Sequence, residues 1–271
     1  MVIAGLGALI SLPFLLAISF LSKTDLQIPK LLTELRTPFI KVLLTRAIIG
    51  SGLIVAGFTM TSAIKSVLLL RLEPVFVFLW SMLFFHEKPK PKKVIALTFL
   101  LIGSAMVVAP NGAVDGPNLG DALIVISLLF LSYSYIPTQR IVEKCSPAGL
   151  NIMTNLLGGS ALAVIAFNIP DQPVHISMRG IELITGYSIT FSVIGCGLYF
   201  YAFKTLKPWI IASFLSLEVV FGSVLALLLL KETMSPFQIL GAVIVLAATA
   251  WIAKLSYDHT HNAANTDTTP G

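Results

Sequence analysis

Apolar residues run through this chain in long blocks separated by short polar stretches. A bilayer core about 30 Å thick needs about 20 apolar residues at a helical rise of 1.5 Å. Nine blocks come close to that length: roughly 2–21, 39–61, 66–85, 93–109, 120–138, 148–168, 183–203, 208–230 and 236–253. Each is rich in Leu, Ile, Val, Ala and Gly, and a helix satisfies its own backbone hydrogen bonds in lipid. The pattern predicts an all-α membrane protein with about nine transmembrane helices. The longest connection runs only from Ser22 to Pro38, so no soluble domain fits between spans. Residues 255–271 are polar, rich in Asn and Thr, and read as a disordered cytoplasmic tail.

Composition agrees with the pattern. Of 271 residues, 56% are hydrophobic and 11% charged, against about 25% charged in soluble domains. Two cysteines, Cys145 and Cys196, exclude a disulfide scaffold. The sequence pI near 9.2 reads as membrane orientation rather than as a nucleic-acid partner. Counting each Lys and Arg toward the nearer end of its span puts fourteen on one face: Lys23, Lys30, Arg36, Lys41, Arg46, Lys88, Lys90, Lys92, Lys93, Arg140, Lys144, Lys204, Lys207 and Lys254. The other face has Lys65, Arg71, Arg179 and Lys231. The bias predicts a multi-pass cell-membrane protein with a cytoplasmic C-terminus and Met1 outside. The first block has no basic n-region and too long an apolar run for a signal-peptide core, so it reads as a mature helix.

Shifting the chain by 145 residues aligns one half on the other without a gap. Gly50-Ser51-Gly52 falls on Gly195-Cys196-Gly197, and Leu72-Glu73-Pro74-Val75-Phe76 on Leu217-Glu218-Val219-Val220-Phe221. Glu87 falls on Glu232 and Pro91 on Pro236; over residues 49–105 there are 15 identities in 57 positions. Block 120–138 maps before residue 1. The expected architecture is therefore two five-helix repeats, the first lacking its first helix: four helices in 1–110 and five in 120–254. Five is odd, so the repeats run in opposite senses through the membrane, a pattern of secondary transporters. The repeat also predicts about 20 further apolar residues encoded upstream of Met1.

These motifs resemble the EamA-type transporters of the drug/metabolite transporter superfamily. The resemblance rests on Leu72-Glu73-Pro74-Val75-Phe76 with Phe85-His86-Glu87-Lys88, and on Leu217-Glu218-Val219-Val220-Phe221 with Leu230-Lys231-Glu232. Tyr199-Phe200-Tyr201-Ala202-Phe203 and Gly120-Asp121-Ala122 add to it, and it covers Met1 to about Lys254. It implies ten helices in a typical member, and export of amino acids or other polar metabolites.

Ionisable groups in a membrane are costly, so each is a functional candidate. Glu73 and Glu218, near mid-depth in related positions, are candidates for binding an amine-bearing solute or exchanging a proton. The competing reading is that each carboxylate holds a repeat contact together. Glu73 is expected to be the less enclosed, beside Pro74 and the absent first helix. Glu87 and Glu232 read as helix caps. Arg71, two residues from Glu73, either snorkels outward or meets another helix. Tyr133, Tyr135, Tyr199, Tyr201 and Trp209 carry polar handles suited to a pocket, though Trp209 and Trp251 also read as interfacial anchors. The substrate-binding candidates are thus Glu73, Glu218, Arg71, Tyr133 and Tyr199. Gly50, Gly52, Gly57, Gly158, Gly159, Gly195 and Gly197 read as close-packing positions.

No phosphate loop, hydrolase motif or intramembrane histidine cluster is present in the sequence, so no enzyme, catalytic residue, metal or cofactor is expected. The function expected is secondary transport of small metabolites, amino-acid-like or otherwise polar, outward by alternating access. The alternative is a non-transporting membrane scaffold or a degenerate, truncated paralogue. The partners expected are a small-molecule solute and bilayer lipid, with no nucleic acid and a homodimer left open.

Overall fold

In the computed structural model, residues 2–86, 90–108, 116–168, 178–225, 228 and 235–266 are described. Among them, nine helical segments are long and apolar enough to cross a membrane: Ala4–Leu21, Arg36–Met60, Lys65–Phe85, Pro91–Val108, Leu119–Val142, Pro147–Phe167, Met178–Ala202, Pro208–Leu225 and Pro236–Leu255. They are the first to ninth spans below. The all-helical class read from the sequence is therefore the observed one. Glu87, Glu232 and Lys231 lie outside the described residues.

The element boundaries recur at the offset seen in the sequence. Helix Ala63–Leu70 is matched 145 residues on by Pro208–Leu215, and the start of Glu73–Phe85 by the start of Glu218–Leu225. Two wide-turn π-helical stretches, Leu43–Gly50 and Ser188–Gly195, recur at the same offset. Such turns are rare and collect at functional sites, and both stretches face the interior described below.

The first span packs along the sixth, and the fourth along the ninth. Small residues make the second contact close. A Cβ on Gly103 would stand 2.9 Å from the Gly241 carbonyl oxygen, and one on Gly241 2.8 Å from that of Gly103. The fifth span crosses over to pack on the second and third. Its start is held by a capping box between Asn118 and Asp121. Lys65 Nζ lies 2.7 Å from Asp121 Oδ2 and donates to the Gly116 carbonyl at 2.7 Å, while the Thr61 hydroxyl donates to Asp121 Oδ1. Toward the end of the bundle that carries most of the Lys and Arg, here the basic face, a large apolar cluster joins Leu31, Phe39, Phe78, Leu150, Phe200, Phe203 and Trp209.

Several expectations change. The last helix runs to Thr266, so residues 257–266 of the expected disordered tail are helical. Extending an existing helix is far cheaper than starting one, and no Gly or Pro interrupts that stretch. Trp209 is 2% exposed, buried under the basic face rather than anchored at the lipid interface. Gly52 and Gly197 have nothing within 4 Å of an added Cβ, so close packing does not require them, whereas Gly50, Gly57, Gly158 and Gly159 do meet neighbouring helices.

Candidate functional site

The third and eighth spans are interrupted near mid-membrane. In the third, the Arg71 and Leu72 amides reach back three residues to the Leu68 and Leu69 carbonyls, at 3.1 and 3.0 Å. In the eighth, those of Ser216 and Leu217 reach Ser213 and Phe214, at 3.2 and 3.0 Å. A new helix begins at once in each, with Glu73 and Glu218 as first residues. A carboxylate there faces the positive end of the helix dipole. Pro74 cannot donate to the helix ladder, which favours the first break. Val219 stands at the matching place in the second, so the break does not depend on proline.

Both breaks open on one cavity of about 470 Å³, lined by side chains of the first three spans and of the fifth to eighth. Ala4, Ala8 and Leu162 line it toward the face opposite the basic one; Tyr135, Tyr199 and Phe200 lie at its other end. Arg71 is buried at the first break and lines the cavity. Its Nε donates to its own helix at the Val67 carbonyl, 3.3 Å, and its charge interacts with Glu218 and, less strongly, with Glu73. It therefore does not snorkel outward, because the break turns it into the interior.

Four of the five sequence candidates, Glu73, Glu218, Arg71 and Tyr199, come together here. Tyr133 does not. Its ring packs edge-on against Trp80 and Phe84, at 5.4 and 5.6 Å between centroids. Tyr135, about 200° further round the helix, takes the interior position. Its hydroxyl donates to Glu73 Oε1 at 3.1 Å. The enclosure of the two acids is also the reverse of that expected: Glu73 is half-buried and Glu218 exposed. The fifth span, assigned by sequence to the second repeat, crosses to cover Glu73.

Arg46 escaped the sequence reading, which counted it with the basic loops. It lies ten residues into the second span, within the π-helical stretch Leu43–Gly50. Its guanidinium carbon stands 4.2 Å from the centre of the Tyr199 ring, and Nη1 donates to the Tyr199 hydroxyl at 3.0 Å. The signal available was its depth, ten residues past Arg36. Tyr199 and Tyr135 meet edge-on at 5.6 Å, so the order across the cavity floor is Arg46, Tyr199, Tyr135, Glu73. Asn151 donates to the Ser192 carbonyl at 3.1 Å, and Asn155 to Asn151 Oδ1 at 2.8 Å, which adds a neutral polar wall. The site thus offers both signs of charge, amide groups and aromatic faces, and can hold a small polar solute.

Comparison with known proteins agrees with this picture. The sequence profile of the EamA-like transporter family matches residues 1–109 and 118–254. A protein of Methanothermobacter thermautotrophicus described as an uncharacterized transporter is 22% identical over 224 residues; the match covers 78% of this chain and 63% of that one. A crystal structure shares the fold at a TM-score of 0.81 and 11% identity, covering 95% of this chain and 88% of the other. Matched by that profile through nearly all of its spans, the chain belongs to the EamA-like transporter family and is a multi-pass membrane protein.

Proposed function

We propose that the chain moves small polar metabolites, amino-acid-like in charge, across the cell membrane by alternating access, with export the physiological direction. The observation that carries this reading is the mid-membrane cavity in which Arg46, Arg71, Glu73 and Glu218 gather from matching halves of the chain. Charges at that depth are costly to keep, and transport is a use that justifies them. The 145-residue recurrence of broken helices supports two halves in opposite membrane senses, rocking about a central site. The basic face is the cytoplasmic one on this reading, with the C-terminus there. Arg71 and Glu218 come from different halves, so a solute carrying both charges draws the halves together.

The test is uptake into proteoliposomes holding the purified protein, across a panel of amino acids and other polar metabolites. Saturable uptake above that of protein-free liposomes is expected for at least one zwitterionic solute. Uptake equal to that of protein-free liposomes for the whole panel contradicts the reading and favours a non-transporting scaffold.

A further inference from the structure

Below the cavity floor, the basic-face end of the bundle is closed by side chains from both halves. Trp209 of the eighth span meets Phe78 of the third edge-on, with centroids 6.1 Å apart, and Lys93 Nζ of the fourth lies 4.7 Å from the Trp209 ring centre. Phe203, at the end of the seventh span, packs on Tyr135 and Tyr199 at 5.5 and 5.1 Å. All four closing side chains are buried: Trp209 and Phe203 at 2% exposure, Phe78 at 5% and Lys93 at 6%.

Different residues stand at the positions related to Trp209, Phe78 and Lys93 by the 145-residue offset. Trp209 corresponds to Ile64, Phe78 to Ser223 and Lys93 to Gln238. Ser223 bonds within its own helix, to the Val219 carbonyl at 2.8 Å, and Gln238 to the Val107 carbonyl at 3.3 Å. Phe203 corresponds to another phenylalanine, Phe58, and the two differ sharply in exposure, 2% against 44%. One residue type at one repeat position is thus buried near the basic face and exposed in the other half.

The seal also holds a buried polar group without a hydrogen-bond partner, Trp209 Nε1. Such a group costs free energy while dry and recovers it when water enters. A static core gains nothing from that arrangement. A contact that opens does.

We propose that the Trp209–Phe78–Lys93 cluster is the gate on the basic face, and that its lack of an equal partner at positions 64, 223 and 238 biases the resting protein toward a cavity open to the opposite face. The proposal rests on the alternating-access reading. It assigns the resting bias to side chains that touch no solute.

The test uses the native thiol Cys196, which lines the cavity one turn from Tyr199 on the side away from the basic face. In a Cys145→Ser background, a membrane-impermeant maleimide is applied to right-side-out and inside-out vesicles. Labelling is expected mainly from the face opposite the basic loops. Trp209→Ile, which installs the residue found at position 64, should raise basic-face labelling at least roughly threefold and lower labelling from the other face. Lys93→Gln, which installs the residue of position 238, should shift both rates the same way by less, and it decides the matter if Trp209→Ile fails to accumulate. Unchanged rates from both faces in variants that keep a cooperative thermal transition overturn the gate. Solute uptake by the same preparations separates the two readings. Uptake with unshifted labelling removes the gate alone, whereas shifted labelling without uptake of any solute keeps the gate and removes transport.

Discussion

At the scale of single residues, the cavity floor depends on two tyrosine hydroxyls that hold opposite charges apart. Tyr135 donates to Glu73, and Tyr199 accepts from Arg46. A hydrogen bond to a charged group contributes about 1.5–3 kcal/mol. Tyr135→Phe removes that bond and leaves the ring packing, so it should lower uptake about tenfold and lower thermal stability by about that contribution. A melting curve and an uptake rate on one preparation check both halves of that expectation. Residue identity alone separated these positions poorly. Glu73 and Glu218 stood out because acids are scarce and the two recur at a fixed offset. Arg46 did not, because a cation ten residues inside a span looks like a loop cation whenever the span boundary is set a few residues late. Tyr133 and Tyr135 differ only in helical phase, and a span apolar on nearly every side gives no phase to read.

At the scale of elements, the sequence shows each span by length and hydropathy, while breaks and crossings depend on backbone geometry and neighbours. The break after Arg71 is signalled by Pro74; its twin after Ser216 carries no such residue, and only the repeat links them. Pro74→Ala should therefore keep the break and leave uptake within about twofold of the parent protein, since Val219 supports the same geometry. Uptake reduced as far as by loss of Glu73 would show that the proline is required. The contact between the fourth and ninth spans depends on close approach at Gly103 and Gly241. Gly103→Leu should overpack it at a cost of about 1–3 kcal/mol, read as a lower melting temperature in detergent. Gly52→Ala, with open space around it, should leave the melting temperature unchanged. Sequence reading grouped these glycines together, because glycine marks a close helix contact and an ordinary lipid-facing position alike.

At the scale of the whole molecule, the 145-residue offset is the feature that sequence and structure share most fully. Spans, π-helical stretches and broken helices all recur on it. What the offset alone did not disclose is the crossing of the fifth span, which encloses Glu73 and leaves Glu218 exposed. Tertiary packing between halves is not encoded in the period of either half. The charge bias persists on a recount: with Arg46 and Arg71 assigned to the cavity, thirteen basic residues remain on one face and three on the other. A reporter active only in the cytoplasm, fused after Lys254, should be active, and one inserted near Asn111 silent; the opposite pair of results would reverse the topology. The central claim is that the mid-membrane cavity carries the solute. It is tested most directly by comparing uptake by the parent protein with that by Glu73→Gln and Glu218→Gln, each reconstituted at equal protein density. The account predicts that both variants keep a cooperative thermal transition and that each loses at least about tenfold in uptake. Full uptake by both would contradict it and leave the acids as structural groups.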